Sequence, residues 1–256
     1  MKRIGLLLLV LILVGALAGC GAPAKKKIVI GLDDHFAPMG FRDDKNNLVG
    51  FDIDMAKEAG KRLNMDVEFK PIDWNSKEVE LNSKRIDMIW NGLSVTEKRK
   101  ENILFSKPYM AGQHVIVVLA NSPIKSKADL AGKIVATQEG SSTVDAILKE
   151  PQIANSMKEL KKYPDNVVTF IDLKAGRVEA IVIDEISARY YITKKSKEVD
   201  AYKIIDDKFP SSMMAVGLRK SDTELQAQLQ KVLDDMKKDG TSAKISKEWF
   251  GEDLVL

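Results

Sequence analysis

The stretch IDMIWNGLSVTEKR, residues 86–99, indicates a strand, then a turn, then the start of a helix. Residues 86–90 are mostly apolar, as in a buried strand, and Asn91-Gly92 is a dipeptide that favours a turn. Thr96 is a suitable N-cap, because its hydroxyl can accept a hydrogen bond from a free N–H group of the first helical turn. The stretch therefore predicts one strand–turn–helix unit of an α/β sheet.

Three cations follow Thr96 where the helix dipole is positive: Lys98, Arg99 and Lys100. Each costs roughly a few tenths of a kcal/mol there. Such a cost suggests a functional reason, because free N–H groups and the planar fork of a guanidinium can hold an anion together. The alternative is that all three are solvated surface charges, and this stretch alone leaves both interpretations open.

Segments of strand and helix type alternate along the rest of the chain, which predicts an α/β fold with mostly parallel sheets flanked by helices. We expect two lobes and two hinge crossovers, one near residue 113 and one in residues 202–210. Lobe 1 is predicted to hold residues 27–111 and 209–256, and lobe 2 residues 112–208. The predicted strands are 27–32, 67–72, 86–90, 113–120, 133–137, 166–170, 180–183 and 213–219, with a hairpin over 41–51. The predicted helices are 52–63, 78–83, 126–130, 141–149, 171–175, 185–193, 223–238 and 241–249.

The first twenty residues have the layout of a lipoprotein signal peptide. Lys2 and Arg3 precede an apolar run over residues 4–17, which is shorter than the roughly 20 apolar residues of a membrane span. Small residues then lead to Cys20, the single cysteine of the chain, so no disulfide can form within it. We predict that residues 1–19 are removed, that Cys20 carries lipid and that residues 20–26 form a tether. The alternative is an ordinary secretory signal with an incidental cysteine.

The composition of the 256 residues, 45% hydrophobic and 30% charged, is that of a soluble globular protein once the leader is removed. A net charge of +3, with no basic patch interleaved with aromatics, argues against a nucleic-acid partner. No Ser-His-Asp signature, Walker A loop or dinucleotide glycine motif occurs. His35 and His114 have no second imidazole or carboxylate at a spacing that suggests a metal site. We therefore expect no catalytic residue, metal or cofactor.

The Ser-x-Thr-x-x-Arg pattern of residues 94–99, followed by Phe-Ser-Lys-Pro-Tyr at 105–109, resembles the polar amino-acid-binding proteins of ABC importers, the bacterial solute-binding protein family 3. Further landmarks follow in the family's order: residues 50–54, the Gly140-Ser141-Ser142 loop, Asp184-Glu185 and residues 249–251. The resemblance implies a two-lobed clamp of the periplasmic-binding-protein type. It also implies a monomer that takes a free polar L-amino acid and delivers it to permease subunits in the membrane. The protein would then be extracytoplasmic, lipid-anchored at the outer face of the cytoplasmic membrane or in the periplasm.

An α-amino acid presents two charges, and a dry cleft must pair both, because a buried unpaired ion costs several kcal/mol. For the ligand carboxylate, Arg99 offers a bidentate fork. Ser94 and Thr96 would complete the cradle on the same lobe, and Ser141 and Ser142 on the other. The alternative for these last two serines is simple helix capping.

For the ligand ammonium, the candidate is Asp184. It ends the buried run 180–183 and so lies at the carboxyl end of a sheet, where ligands bind in open α/β folds. The resemblance implies that this acid holds the amino group. The alternative is that Asp184 only caps the helix that begins at Glu185.

For the ligand side chain, the resemblance points to Asp33, Phe36, Trp74 and Asn91, with Gln138 as a weaker polar candidate. Phe36 and Trp74 could stack on a guanidinium and gain cation–π energy, although lone aromatics are more often part of a core.

The preferred ligand is predicted to be arginine or another basic amino acid, with glutamine or cystine next. Asp33 would complement a cationic ligand side chain, unless the neighbouring Asp34 is the relevant acid. Relatives with basic-amino-acid pockets often carry a serine or threonine where Asn91-Gly92 stands, and an amide also suits uncharged ligands, so specificity stays open.

Two other functions are possible on the same fold. One is an enzyme like cyclohexadienyl dehydratase, which would need a general acid or base free of ligand-binding duty. Every candidate acid in this chain has such a duty, so we expect a binding protein and not an enzyme. The other is the ligand-binding module of a sensor.

Overall fold

The computed structural model describes residues 25–195 and 199–256. The first half of the chain alternates strands with helices, as the apolar spacing predicts. Its strands are β1 (Lys26–Leu32), β2 (His35–Phe36), β3 (Gly40–Arg42), β4 (Leu48–Val49), β5 (Met65–Pro71), β6 (Met88–Ile89) and β7 (Ile103–Phe105). Its helices are α1 (Phe51–Leu63), α2 (Lys77–Asn82), preceded by a 3-10 turn at Trp74–Ser76, and α3 (Glu97–Asn102).

The second half begins with a long strand and ends with two helices. Its strands are β8 (Met110–Leu119), β9 (Ile134–Gln138), β10 (Glu159–Tyr163), β11 (Ala180–Asp184), β12 (Tyr202–Met214) and β13 (Gly217–Arg219). Its helices are α4 (Ser142–Leu148), α5 (Pro151–Ala154), α6 (Asn166–Lys174), α7 (Glu185–Tyr190), α8 (Thr223–Lys238) and α9 (Thr241–Phe250). Short 3-10 turns lie at Lys127–Leu130 and Val199–Ala201, and a π turn at Tyr191–Lys195.

The strands form two five-stranded sheets of the same design. The first has the order β5-β1-β6-β13-β7 and the second β10-β9-β11-β8-β12. In each, three neighbouring strands run parallel and the remaining two pairings are antiparallel. The sheets are thus mixed, whereas the sequence predicts mostly parallel ones. The reason is that one strand in each sheet, β13 in the first and β8 in the second, runs opposite to the other four.

Two crossings connect the sheets, and they lie side by side. The start of β8 pairs with the end of β12, with Gly112 opposite Ser212 and Met110 opposite Met214. Met214 also bridges to Ser94 of the first half. The predicted lobe boundaries at 111/112 and 208/209 fall inside these two strands and stay a prediction.

Each sheet is covered by apolar helix faces. On α8, the buried residues Leu229, Val232, Leu233 and Met236 follow the helical spacing i, i+3, i+4, i+7 and pack beside α1 on the first sheet. Burying a side chain of this size stabilises the fold by about 1.5–3 kcal/mol. The second sheet has an apolar cluster on each face. This packing places the C-terminal helices against the first sheet.

One part of the prediction is wrong. Residues 166–170, expected as a strand because of β-branched Val167 and Val168, begin the helix α6, and residues 171–175 belong to that helix or its end. Asp165 caps it by accepting a hydrogen bond from the Val168 N–H at 3.0 Å, and this cap outweighs the strand propensity. The strand before it, β10, was missed, because its sequence ELKKY is polar and lies at a sheet edge.

Residues 86–99, the stretch predicted as a strand, a turn and a helix start, fold nearly as predicted. Its strand is shorter than expected, only Met88–Ile89. The Thr96 hydroxyl accepts a hydrogen bond from the Arg99 N–H at 3.2 Å, so the predicted N-cap is confirmed. The predicted signal peptide, the lipid on Cys20 and most of the tether lie outside the described residues. Among those described, no helix combines the length and apolar character of a membrane span.

Candidate functional site

A cavity of about 440 Å³ lies between the two sheets. Its walls come from segments at the carboxyl ends of strands in both sheets: β1, β6, β9 and β11. Ten of the eleven predicted ligand-contacting residues line it: Asp33, Phe36, Trp74, Asn91, Ser94, Arg99, Gln138, Ser141, Ser142 and Asp184.

Arg99 places a buried guanidinium at one end of the cavity. Its Nη1 donates to the Ser94 carbonyl and its Nη2 to the Gly140 carbonyl, each at 2.8 Å, so it reaches both sheets. The residue is 5% exposed, and burial lowers its pKa. Within the described residues no carboxylate forms an ion pair with it. A buried cation of this kind is costly until an anion joins it.

Asp184 places a buried carboxylate on another wall of the same cavity. It accepts a hydrogen bond from the Ile186 N–H at 3.1 Å, so it does cap the helix α7. That single bond does not compensate for burial, which raises the pKa of Asp184 to about 7. No cation pairs with it in the part of the chain that the structure describes. The capping role and a ligand-binding role are therefore compatible.

Hydroxyl groups bridge the cleft beside Arg99. The Ser94 Oγ lies 2.8 Å from the Ser142 Oγ and 3.1 Å from the Ser212 Oγ. The Ser141 hydroxyl is used locally, because it donates to the Gln138 carbonyl at 2.6 Å. Thr96 is the predicted residue that does not line the cavity, since its hydroxyl caps α3.

The other end of the cavity is acidic and amide-rich. The Asp33 carboxylate, 6% exposed, accepts a hydrogen bond from the Gln138 Nε2 at 2.6 Å, and the Asn91 Oδ1 accepts one from the Asp33 N–H at 3.2 Å. The Asn91 Nδ2 is buried with no partner. Asp34 forms an ion pair with Arg42 at 2.6 Å and does not line this cavity. Asp33 is thus the acid that faces the space.

Two aromatic rings flank this end. Trp74 is buried, and the Lys77 Nζ lies 5.1 Å from its ring centroid. The Phe36 ring packs against Gly92, where a Cβ atom would lie 2.7 Å from the ring. Gly92 has a φ of +58°, so both the turn and this close approach favour glycine there.

Sequence patterns do not single out Lys77. This residue is 3% exposed, and its Nζ donates to the Trp74 carbonyl at 3.0 Å and, across the cleft, to the Gly140 carbonyl at 2.9 Å. Burial, and then the charge of Arg99, lowers the pKa of Lys77 to about 7. A lysine in a short surface-type helix has no distinguishing pattern, so only the fold reveals its position.

Three further wall residues were also not predicted: His114, Thr143 and Asn166. The Asn166 Nδ2 donates to the Gln138 Oε1 at 3.0 Å, which orients that amide toward Asp33. His114 follows Gln113 and precedes the apolar residues 115–119 of β8, so no local pattern distinguishes it.

The expectation that His35 has no nearby carboxylate is wrong. Its Nδ1 lies 3.3 Å from the Asp34 Oδ1 and 3.7 Å from the Asp33 Oδ1, close enough for the three groups to hold an ion. Both carboxylates already have protein partners, Arg42 and Gln138. We therefore assign no metal to this cluster.

Comparison with known proteins places this geometry in a family. Residues 28–252 match the model of the bacterial extracellular solute-binding proteins, family 3. The chain belongs to this family. Among its relatives, the L-cystine-binding protein TcyJ of Escherichia coli is 29% identical over 89% of this chain and 84% of its own. The arginine-binding extracellular protein ArtP of Bacillus subtilis is 31% identical over 98% of both chains.

Solved structures of family 3 proteins agree with the fold. A substrate-binding protein of an ABC uptake transporter from Streptococcus pneumoniae, with bound histidine, superposes with a TM-score of 0.86 at 36% identity, over 90% of this chain and 94% of its own. An ancestral arginine-binding protein bound to glutamine gives 0.82 at 38% identity, over 89% and 99%. An ancestral amino-acid-binding protein described as a precursor of cyclohexadienyl dehydratase gives 0.79 at 30% identity, over 88% and 95%. The predicted two-lobed clamp is confirmed.

Proposed function

We propose that this protein binds a free polar L-amino acid in the cleft and delivers it to the permease of an ABC importer. The observation that carries the proposal is a pair of buried, oppositely charged groups, Arg99 and Asp184, which line one cavity and have no ion-pair partner among the described residues. A zwitterion supplies both missing charges at once. Its carboxylate would join Arg99, Ser94 and Ser142, and its ammonium would join Asp184.

The side-chain end supports arginine or another basic amino acid as the preferred ligand. The Asp33 carboxylate lies where a ligand side chain would extend and can accept hydrogen bonds from a guanidinium or ammonium group. The flanking Trp74 and Phe36 rings offer faces for a planar cation. Glutamine or cystine is the next candidate, because the amides also suit uncharged polar groups.

The binding protein itself would be anchored to the membrane. We propose that residues 1–19 are cleaved, that Cys20 carries lipid and that the folded part works as an extracytoplasmic monomer. The test is mass spectrometry of the mature protein with a Cys20→Ser variant as control. A mature wild-type chain that keeps residues 1–19, or a Cys20 thiol without lipid, would refute the anchor.

Catalysis is the competing function, and one observation favours it: an acid with a pKa of about 7, Asp184, in a cleft. A similar pKa is expected of any buried acid that awaits a cationic ligand. Incubation with prephenate or arogenate separates the two functions. A binding protein leaves both compounds intact, and turnover by wild type that disappears in Asp184→Asn would establish an enzyme.

The decisive experiment is a thermal-shift screen of the twenty amino acids, cystine and ornithine. A ligand stabilises the native state by mass action, so the rank of the shifts in Tm reports specificity. Calorimetry with the best ligand then compares wild type with Arg99→Met and with Arg189→Met, a control in which an exposed arginine on α7 is changed. We expect Arg99→Met to lose about 2–5 kcal/mol of binding free energy and the control to bind normally. Normal binding by Arg99→Met would disprove the assignment.

A further inference from the structure

His114 lies in β8 at the edge of the cavity and is 2% exposed. Both of its ring nitrogens have partners. The Nδ1 is 2.8 Å from the Pro210 carbonyl oxygen, and the Nε2 is 3.1 Å from the Ser142 Oγ. The ring therefore connects the crossing strand β12 to the hydroxyl beside Arg99.

The partners of the ring fix its tautomer. A carbonyl oxygen only accepts hydrogen bonds, so the Nδ1 must carry a hydrogen. In the neutral ring the Nε2 is then an acceptor, and the Ser142 hydroxyl must donate to it. A serine hydroxyl has one hydrogen, so in this state Ser142 can only accept from the neighbouring Ser94 Oγ, 2.8 Å away.

This arrangement conflicts with the ligand proposed above. A carboxylate bound between Arg99 and the two serines accepts hydrogen bonds and donates none. While His114 is neutral, the hydrogen of Ser142 is committed to the Nε2 and is turned away from the carboxylate. A proton added to the Nε2 reverses that bond, because the ring then donates to the Ser142 Oγ and the hydroxyl hydrogen becomes free.

The charges around His114 determine when it takes up this proton. Burial lowers its pKa, the acceptor Pro210 carbonyl opposes this, and the cations Arg99 and Lys149 lower the pKa further. On the other side, Asp184 is the direct partner of His114 in the β8–β11 ladder. Without ligand, burial and then the cations hold the pKa of the ring below its ordinary value, which favours the neutral form near pH 7. A ligand carboxylate beside Arg99 adds a negative charge close to the ring and favours its protonation.

We propose that His114 takes up a proton from solvent when the amino acid binds, and thereby turns the Ser142 hydroxyl toward the ligand carboxylate. This inference rests on the proposed function and adds a regulation of the same site. His114 acts through Ser142 and is a positioning residue. Protonation of Asp184 below about pH 7 weakens binding in every protein that keeps this acid, so the effect of His114 is measured as a ratio. The affinity of wild type relative to a His114 variant should rise as the pH falls through the range in which His114 titrates.

The first test is an NMR titration of the histidine ring signals of the wild-type protein, with and without the best ligand of the thermal-shift screen. The chain has two histidines, and a His35→Gln variant assigns the signals. We expect the pKa of His114 to rise by about one pH unit or more on ligand binding. An equal pKa in both states overturns the inference.

The second test measures proton uptake by calorimetry in buffers of different ionisation enthalpy. His114→Gln is the matched variant, because the Gln amide can donate to the Pro210 carbonyl and accept from Ser142, as the neutral ring does. We expect the ratio of the two Kd values to change by about tenfold in favour of wild type between pH 8 and pH 6, and a constant ratio would overturn the inference. When the ligand binds at a pH between 6 and 8, wild type should take up a larger fraction of a proton than the variant does.

The outcomes separate the two proposals. If wild type binds an amino acid and both proteins take up the same number of protons, the role of His114 is refuted and the proposed function stands. If wild type binds no amino acid in the screen, the proposed function fails and the role of His114 fails with it.

Discussion

Two buried acids of the second lobe, Asp172 and Asp184, differ in how far the described residues neutralise their charge. Asp172, on α6, accepts hydrogen bonds from Arg177, Lys161 and the Tyr163 hydroxyl. The bond from Arg177 is the main cause that lowers the pKa of Asp172 to about 2. Asp184 has one backbone N–H as partner, and burial raises its pKa to about 7.

This difference distinguishes charges that stabilise the native state from charges that do not. A carboxylate surrounded by its own cations contributes to the stability of the native state, whereas a buried carboxylate without them opposes it. Arg99 repeats the second pattern with the opposite sign, because only backbone carbonyls accept from its guanidinium. Among the described residues, buried charges of opposite sign without ion-pair partners therefore coincide with the proposed ligand site, and Asp172 with its cations belongs to the scaffold.

The largest effect is expected from Asp184→Asn, which removes the charge and keeps the shape. Ligand affinity should fall by about 2–5 kcal/mol, because the ligand ammonium loses its counter-charge in a closed cleft. At pH 8 the unliganded variant should be more stable than wild type by a few degrees in Tm, since a costly buried charge is gone. Calorimetry and thermal unfolding measure the two effects.

Asp172→Asn is the matched control for this substitution. It should lower Tm by a few degrees, because Arg177 and Lys161 lose their anion, and it should leave Kd unchanged. A large loss of affinity in Asp172→Asn, or unchanged affinity in Asp184→Asn, would remove the distinction between the two acids.

The two acids also predict opposite pH dependences of stability. The folded pKa of Asp184, about 7, lies above the unfolded value of about 3.9. Its contribution is therefore fully present below about pH 4 and is lost as the pH rises to about 7. The folded pKa of Asp172, about 2, lies below the unfolded value, so its contribution is present above about pH 4 and is lost as the pH falls toward 2.

Chemical unfolding of unliganded protein between pH 4 and pH 8 measures this dependence. The stability of wild type relative to Asp184→Asn should fall steadily over that range and then level off. A constant difference across the range would mean that Asp184 does not titrate as a buried, unpaired acid.

A smaller effect is expected from Asp33→Asn, at the side-chain end of the cavity. If the ligand is basic, its affinity should fall roughly ten- to hundredfold, because a charged hydrogen-bond acceptor becomes a neutral one. Binding of glutamine should change little, since the Asn oxygen can still accept from Gln138. Equal losses for arginine and glutamine would show that Asp33 does not select charge.

The smallest effect is expected from Lys77→Met, which keeps the length of the side chain and removes its cross-cleft hydrogen bond to Gly140. The dissociation rate of the ligand should rise about three- to tenfold, because only the closed cleft contains this bond. The association rate should stay the same, since the ligand first meets an open cleft. Stopped-flow kinetics separate the rates, and a slower association with normal dissociation would contradict the role.

Much of the fold follows from local patterns in the sequence. Amphipathic spacing located α1, α8 and α9 within a residue or so. The pattern failed at residues 166–170, where the cap from Asp165 overrides β-branched side chains. It failed again at β10, a polar strand that exists only because β9 offers a pairing edge.

The candidate site also contains residues that the sequence predicts and residues that it does not. Arg99, Asp184 and Ser94 lie in motifs whose turns and caps fix their direction, so the resemblance could identify them. Lys77 and His114 have no local signature, because their roles come from partners far along the chain: Gly140 and Pro210. Long-range pairing of this kind is a property of the fold.

The side-by-side pairing of β8 and β12 has a mechanical consequence. The two crossing strands pair with each other around Gly112 and Ser212. We therefore expect them to bend together as one two-stranded hinge. Sliding or twisting one lobe against the other would break backbone hydrogen bonds between β8 and β12. Rotation of the lobes about a single hinge axis would keep them. If the cleft closes on a ligand as proposed, this pairing limits the closure to one direction of movement, and the proposed permease would meet one closed shape.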